Sequence, residues 1–187
     1  MEPITHSERI EHLLGLYSEQ IGEDLPGYRN HIYRVLSYAL YFLGDQDHPK
    51  RPDIEVALAF HDLGMWTDHD LAYLEPSIGQ FEKAKSEGLL QDQVDTQLVH
   101  DIIFWHHKFT PFRGEDAEVV NAVRKGDWID GSKAIFRKGV AKEDIDKVYA
   151  ALPVNGFYDT LMRLASDLNN GHKMGGLMRV LHRVYKL

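Results

Sequence analysis

The sequence contains no cysteine, which excludes a disulfide framework and any thiolate-ligated metal. It has no apolar run approaching the ~20 residues of a membrane helix. The N-terminal stretch MEPITHSERIEHLL lacks the basic region and apolar run of a signal peptide, so the chain reads as cytoplasmic, with no membrane partner. It also lacks a basic surplus. The net charge of -8 argues against duplex nucleic acid or an anionic membrane surface as the main partner. A small phosphorylated substrate remains compatible with it, because such a ligand needs only a local positive site or a metal. Strand-like alternation, internal repeats and low-complexity segments are missing as well. What is present is 187 residues, 43% hydrophobic and 27% charged, enough for a core and expected to form one domain over 1–187. Eleven histidines stand out in this cysteine-free background.

The apolar periodicity is helical almost throughout, which predicts an all-α compact bundle. SERIEHLLGLYSEQIG starts at a capping serine, Ser7, and spaces Ile10, Leu13, Leu14, Tyr17 and Ile21 at helical intervals. Pro26 and Gly27 read as breakers in a turn before a second helix, YRNHIYRVLSYALYFLG. DIEVALAFHDLG reads as a third helix, capped by Asp53 at its start and Gly64 at its end. A short helix follows, with a break at Pro76, and SIGQFEKAKSEG is a further candidate. DQVDTQLVHDIIFWHHK and AEVVNAVRKGDWIDGS are stronger helical patterns. KEDIDKVYAAL, GFYDTLMRLASDL and GGLMRVLHRVYKL complete a set of C-terminal helices, spanning 142–187, expected to pack on a core of about 29–132.

Within this pattern, AFHDLGMW places an imidazole and a carboxylate side by side in an apolar segment, where burial is costly unless both are paired. Consecutive helical residues differ by about 100°. His61 and Asp62 therefore reach a common point only at the helix flank. Imidazole nitrogen and carboxylate oxygen are ordinary ligands of divalent ions, and further ligands must come from neighbouring helices. His31 and Asp127 are polar residues in segments that otherwise read as core helices, and four residues on three helices can converge in a bundle.

The order His31, His61-Asp62, Asp127, set in HIYRVLSYAL, ALAFHDLG and VRKGDWID, resembles the HD superfamily of metal-dependent phosphohydrolases over roughly 29–132. The resemblance implies an all-α fold, a divalent metal (Mn, Fe, Co, Ni, Zn or Mg) held by His31, His61, Asp62 and Asp127, and hydrolysis of a small phosphorylated molecule, a phosphomonoester or nucleotide. Dinuclear members use extra histidines between the pair and the last aspartate. His69, His100, His106 and His107 are available, with His100 and His107 a heptad apart on one face and His106 expected to point elsewhere. No histidine lies in YLEPSIGQFEKA, where dinuclear members usually carry one, and that favours a single ion.

Spacing and charge suggest the remaining roles. Asp62 would be a ligand, with Asp68 and Glu75 as candidates for the base that activates water. Arg34, Lys108 and Arg113 are candidates for holding phosphate oxygens, with His106 and His107 beside the substrate. Each has a plainer alternative: Asp68 and Glu75 as cap or solvated loop, Lys108 and Arg113 as surface charges, and the histidine pair as the polar edge of a buried helix. Asp130, the nearest rival to Asp127, reads as structural, and His6, His12, His48, His172 and His182 as surface residues. Trp66, Trp105 and Trp128 adjoin the motifs, as core or as pocket wall. Two other functions stay open: an HD-fold hydratase or oxygenase acting on a non-phosphate small molecule, and a non-catalytic ligand-binding domain.

Overall fold

The computed structural model describes residues 1–69 and 71–167; the expected final helix GGLMRVLHRVYKL, with His172 and His182, lies outside them. The architecture is all-α, with no strand among the described residues. Helix α1 (Glu8–Leu16) starts where expected, with the Ser7 hydroxyl accepting the Ile10 amide. The expected continuation to Ile21 is interrupted at Tyr17, and a short α2 (Ser18–Ile21) and a 3-10 turn (Gly22–Asp24) lead into α3 (Leu25–Leu43).

Pro26 is not a breaker. It sits in the first turn of α3, where a backbone N–H would have no intrahelical acceptor. Gly27 is needed for packing: a Cβ there would lie 2.9 Å from the Asn155 carbonyl oxygen. Helix α4 (Arg51–Phe60) likewise begins before the expected cap, with Pro52 in its first turn. Asp53 accepts the Asp95 amide at 2.7 Å instead, tying α4 to the chain just before Thr96. Gly64 does not end α4 but opens the short α5 (Gly64–Thr67), and a Cβ on it would lie 2.6 Å from the Tyr73 carbonyl oxygen. Helix α6 (Leu74–Ser86) runs through Pro76, again a first-turn proline, and α7 (Thr96–Trp105), α8 (Ala117–Gly131), α9 (Lys142–Ala151) and α10 (Phe157–Asp167) follow.

Helix α3 is the axis of the bundle. Its Tyr28, Ile32, Tyr33, Val35, Leu36 and Ala39 are fully buried, and it lies most extensively along α8. Close approach of this pair depends on Gly126 of α8, where a Cβ would lie 2.8 Å from the Val35 carbonyl oxygen. Helix α4 packs between α1, α3 and α7. The C-terminal ends of α4 and α7, the middle of α3 and the last turns of α8 therefore meet around one point. No described helix is long and apolar enough to cross a membrane.

Candidate metal centre

Three histidines reach that point with their tautomers fixed. His61 follows the last residue of α4, and its Nδ1–H donates to the Leu58 carbonyl at 2.7 Å. His106 does the same at the end of α7, donating to the Ile103 carbonyl at 2.6 Å. Both carbonyls belong to last turns, where helix geometry leaves oxygens without an amide partner. His31, in the middle of α3, donates from Nδ1 to the Asp130 carboxylate at 2.6 Å. In each ring the proton on Nδ1 leaves Nε2 as a bare lone pair.

Those lone pairs converge. His31 Nε2 and His61 Nε2 lie 3.0 Å apart with no donor hydrogen of their own to share. Asp62 Oδ2 is 3.3 Å from His61 Nε2 and 3.7 Å from His31 Nε2. Asp127 Oδ1 is 3.6 Å from His31 Nε2 and 3.9 Å from His61 Nε2. His106 Nε2 faces Asp62 Oδ1 at 3.3 Å. Asp62 Oδ1, Asp127 Oδ1 and His106 Nε2 are buried without a hydrogen-bond partner. Two buried carboxylates and three imidazole lone pairs aimed at one another are mutually repulsive unless a cation lies among them. Ligand atoms about 2.0–2.2 Å from one ion stand about 3–3.5 Å apart, close to the spacings observed. Three overlapping groups bring their ligand atoms within 4.8 Å of one another: His31, His61 and Asp127; His61, Asp62 and His106; and His106, His107 and Asp127. The residues present therefore fit a divalent metal ion.

The electrostatics agree. Burial pushes the His61 imidazole down to about 4, only partly offset by Asp62, so the ring is neutral and ready to ligate. Burial alone would raise Asp62 and Asp127, whereas positive charge among the surrounding imidazoles lowers both, and the net direction is down, which leaves two carboxylates for a cation to neutralise. Asp130 is held low in the same way by His31 and Arg34.

The expected ligands His31, His61, Asp62 and Asp127 are thus together. His106 is not turned away: its backbone is still helical, with its amide bonded to the Ile102 carbonyl, and packing turns its face of α7, rather than that of His100, toward Asp62. His107 Nδ1 lies 2.9 Å from Asp127 Oδ2, and its Nε2 is 2.5 Å from the Tyr73 hydroxyl. His100 stays with Glu82 between α6 and α7, and His69 is exposed.

The other expected site residues lie elsewhere. Asp68 is exposed and accepts from Thr67 and Gln80; Glu75 is exposed in the first turn of α6. Arg34 lies behind His31, fully buried, with Nε and Nη2 donating to Asp130 at 2.5 and 2.8 Å and Nη1 to the Leu152 carbonyl at 3.1 Å. The buried Lys108 amine lies over the Phe104 ring, and Arg113 is exposed on a separate cleft beside Trp105 and Phe112. Trp66 is a core residue against Tyr28, its indole N–H donating to Asp24.

A cavity of about 320 Å³ adjoins the cluster, with His31, Asp62, His107 and Asp127 in its lining. Tyr73, Lys133 and Phe157 also line it, and sequence reasoning missed all three. Phe157 stacks on the His31 ring at 4.2 Å, and no local pattern marks an aromatic at the start of α10 as the neighbour of a histidine on α3. No family model matches the chain, and neither does any curated protein or solved structure.

Proposed function

We propose that the protein is a metal-dependent hydrolase of the HD type that cleaves a small phosphorylated substrate. The observation that carries this is the convergence of His31 Nε2 and His61 Nε2 at 3.0 Å, both lone pairs, on the buried carboxylates of Asp62 and Asp127. A divalent ion held there polarises a phosphoryl oxygen and lowers the pKa of water. The chain's own residues supply the rest. His31, His61, Asp62 and Asp127 hold the ion, and Asp130 and Leu58 fix the tautomers of the two histidines. His107 and Tyr73 share a proton between Nε2 and the phenol oxygen at the edge of the cavity. That position suits transfer to a leaving-group oxygen better than Asp68 or Glu75, which do not line the cavity.

A second reading, a hydratase adding water to a small nitrile-like molecule, is favoured by one observation. Arg34, Lys108 and Arg113, the cations expected to clamp phosphate, do not line the cavity. The test begins with metal content per chain, on protein purified without chelator and without a metal-binding tag. About one ion per chain, lost in Asp127→Ala, with turnover of phosphate esters supports the hydrolase. One ion with turnover of nitriles alone supports the hydratase, and two irons per chain an oxygenase. No ion retained after reloading overturns the metal reading and leaves a ligand-binding domain.

A further inference from the structure

Resting on the hydrolase reading, we infer that the substrate is a phosphomonoester of one small apolar alcohol, not a nucleoside polyphosphate or a sugar phosphate. Beside the ligand atoms, and with Tyr73, Tyr158, Lys133 and Asp159 also in the lining, Met65, Leu71, Phe157, Leu161 and Leu164 give the cavity a largely apolar wall. Phe157 is 1% exposed and lies nearly parallel to the His31 ring, so the apolar wall begins at the metal ligands themselves.

Charge points the same way. Among the described lining residues Lys133 is the one cation, and Asp159 also lines the cavity. The exposed Lys133 amine rests over the Tyr158 ring at 4.6 Å. One lysine in the described lining, with one aspartate there as well, suits a single phosphoryl group at the metal cluster. Among the described residues, a triphosphate would find no second lysine or arginine in the lining.

Size and hydrogen bonding narrow the alcohol. A cavity of about 320 Å³ is near the lower end of ligand sites, which run from about 300 to 1,000 Å³, so it holds one ring-sized body. Each sugar hydroxyl placed against Leu161 or Leu164 would lose water without gaining a partner. In the reaction the oxygen of water bonds to phosphorus as the bond from phosphorus to the alcohol oxygen breaks. The electron pair stays on that oxygen, which takes the proton shared by His107 and Tyr73. The attacking water gives up a proton to restore the pair, and the products are the alcohol and inorganic phosphate.

The test is calorimetric titration of the metal-loaded chain with phenylphosphonate and methylphosphonate, which carry the same anion and cannot be hydrolysed. Phenylphosphonate is expected to bind at least about tenfold more tightly, the factor that burying one ring's extra apolar surface commands. Leu161→Gln should shrink that gap with little change for methylphosphonate, which also shows that the variant is folded. Met162→Gln, at the exposed rim of the same cavity, is the second variant if Leu161→Gln does not fold. Equal binding of the two phosphonates, or a gap that neither variant moves, overturns the inference and leaves the hydrolase reading standing. Failure of both to bind, with no phosphate ester turned over by metal-replete protein, overturns the hydrolase reading and the inference with it.

Discussion

Replacing Arg34 with methionine should destabilise the whole protein before it affects any ligand. The guanidinium is 0% exposed, and it donates to both oxygens of Asp130, itself 0% exposed, and to the carbonyls of Leu152 and Pro153. Burial works against both charges, but each is held ionised by the other, with the Arg34 pKa raised and the Asp130 pKa lowered. Arg34→Met leaves that carboxylate buried with only the His31 N–H facing it. Breaking a buried ion pair from one side costs about 3–5 kcal/mol, a large share of the roughly 5–15 kcal/mol available to a domain. In a chain of this size the loss lowers Tm by roughly 10 °C. Urea unfolding followed by circular dichroism measures it. The double variant Arg34→Met/Asp130→Leu removes both charges and should recover at least about 1 kcal/mol of that loss. It should not recover the metal site, because His31 Nδ1 then lacks its acceptor, and affinity for the ion should drop by about 10–100-fold. A loss below about 1 kcal/mol in Arg34→Met, far under the cost of a broken buried pair, would refute this reasoning. So would a rise in KM for a phosphate ester at unchanged stability, which would return Arg34 to the substrate.

Gly126→Ala puts a methyl group 2.8 Å from the Val35 carbonyl oxygen and 3.2 Å from Tyr38 Cβ. Forcing α8 off α3 should cost about 1–3 kcal/mol and weaken metal binding as Asp127 shifts; an unchanged Tm and metal affinity would show that the helices do not meet as described. Ser77→Ala removes the hydroxyl that accepts the Gly64 amide at 3.0 Å, just after His61-Asp62; the buried N–H left behind should cost about 1–3 kcal/mol in thermal unfolding, and no loss would mean water replaces it. In chelated, metal-free protein, His61 resists protonation down to about 4 against an ordinary 6.5. The unfolded chain binds that proton first, so stability should fall as pH drops through this window, by about 3 kcal/mol in all. Asp130, held low by His31 and Arg34, acts in the same direction below the ordinary carboxylate range. Urea midpoints at pH 7 and 4.5 check the sign; a flat or rising midpoint at pH 4.5 contradicts it.

The helices themselves were legible because their signal is local. Apolar residues at helical spacing bury one face of α3, α4 or α8 whatever lies opposite, and Ser7 caps α1 through an amide three residues away. Pro26 and Pro76 were misread because a missing N–H matters only inside a helix, and local spacing left the first turns unplaced. The groups able to hold a metal were legible for a related reason. His31, His61, Asp62 and Asp127 each interrupt an apolar helix, and a buried polar side chain in such a place requires a partner.

Which partner it finds is a matter of tertiary structure. His106 enters the cluster because packing of α7 on α4 turns its face toward Asp62, and a helical wheel does not say which face of a helix meets a site. Arg34 turns away from any ligand to meet Asp130, 96 residues further along the chain. Phe157 and Lys133 line the cavity only because α10 and the end of α8 fold back over α3. The sequence by itself determined the helices and the set of groups able to ligate a metal, because periodicity and side-chain chemistry act over one or two turns. The tertiary structure decided which histidines converge, which arginine is neutralised and how apolar the cavity is, because those depend on contacts between residues that only packing brings together.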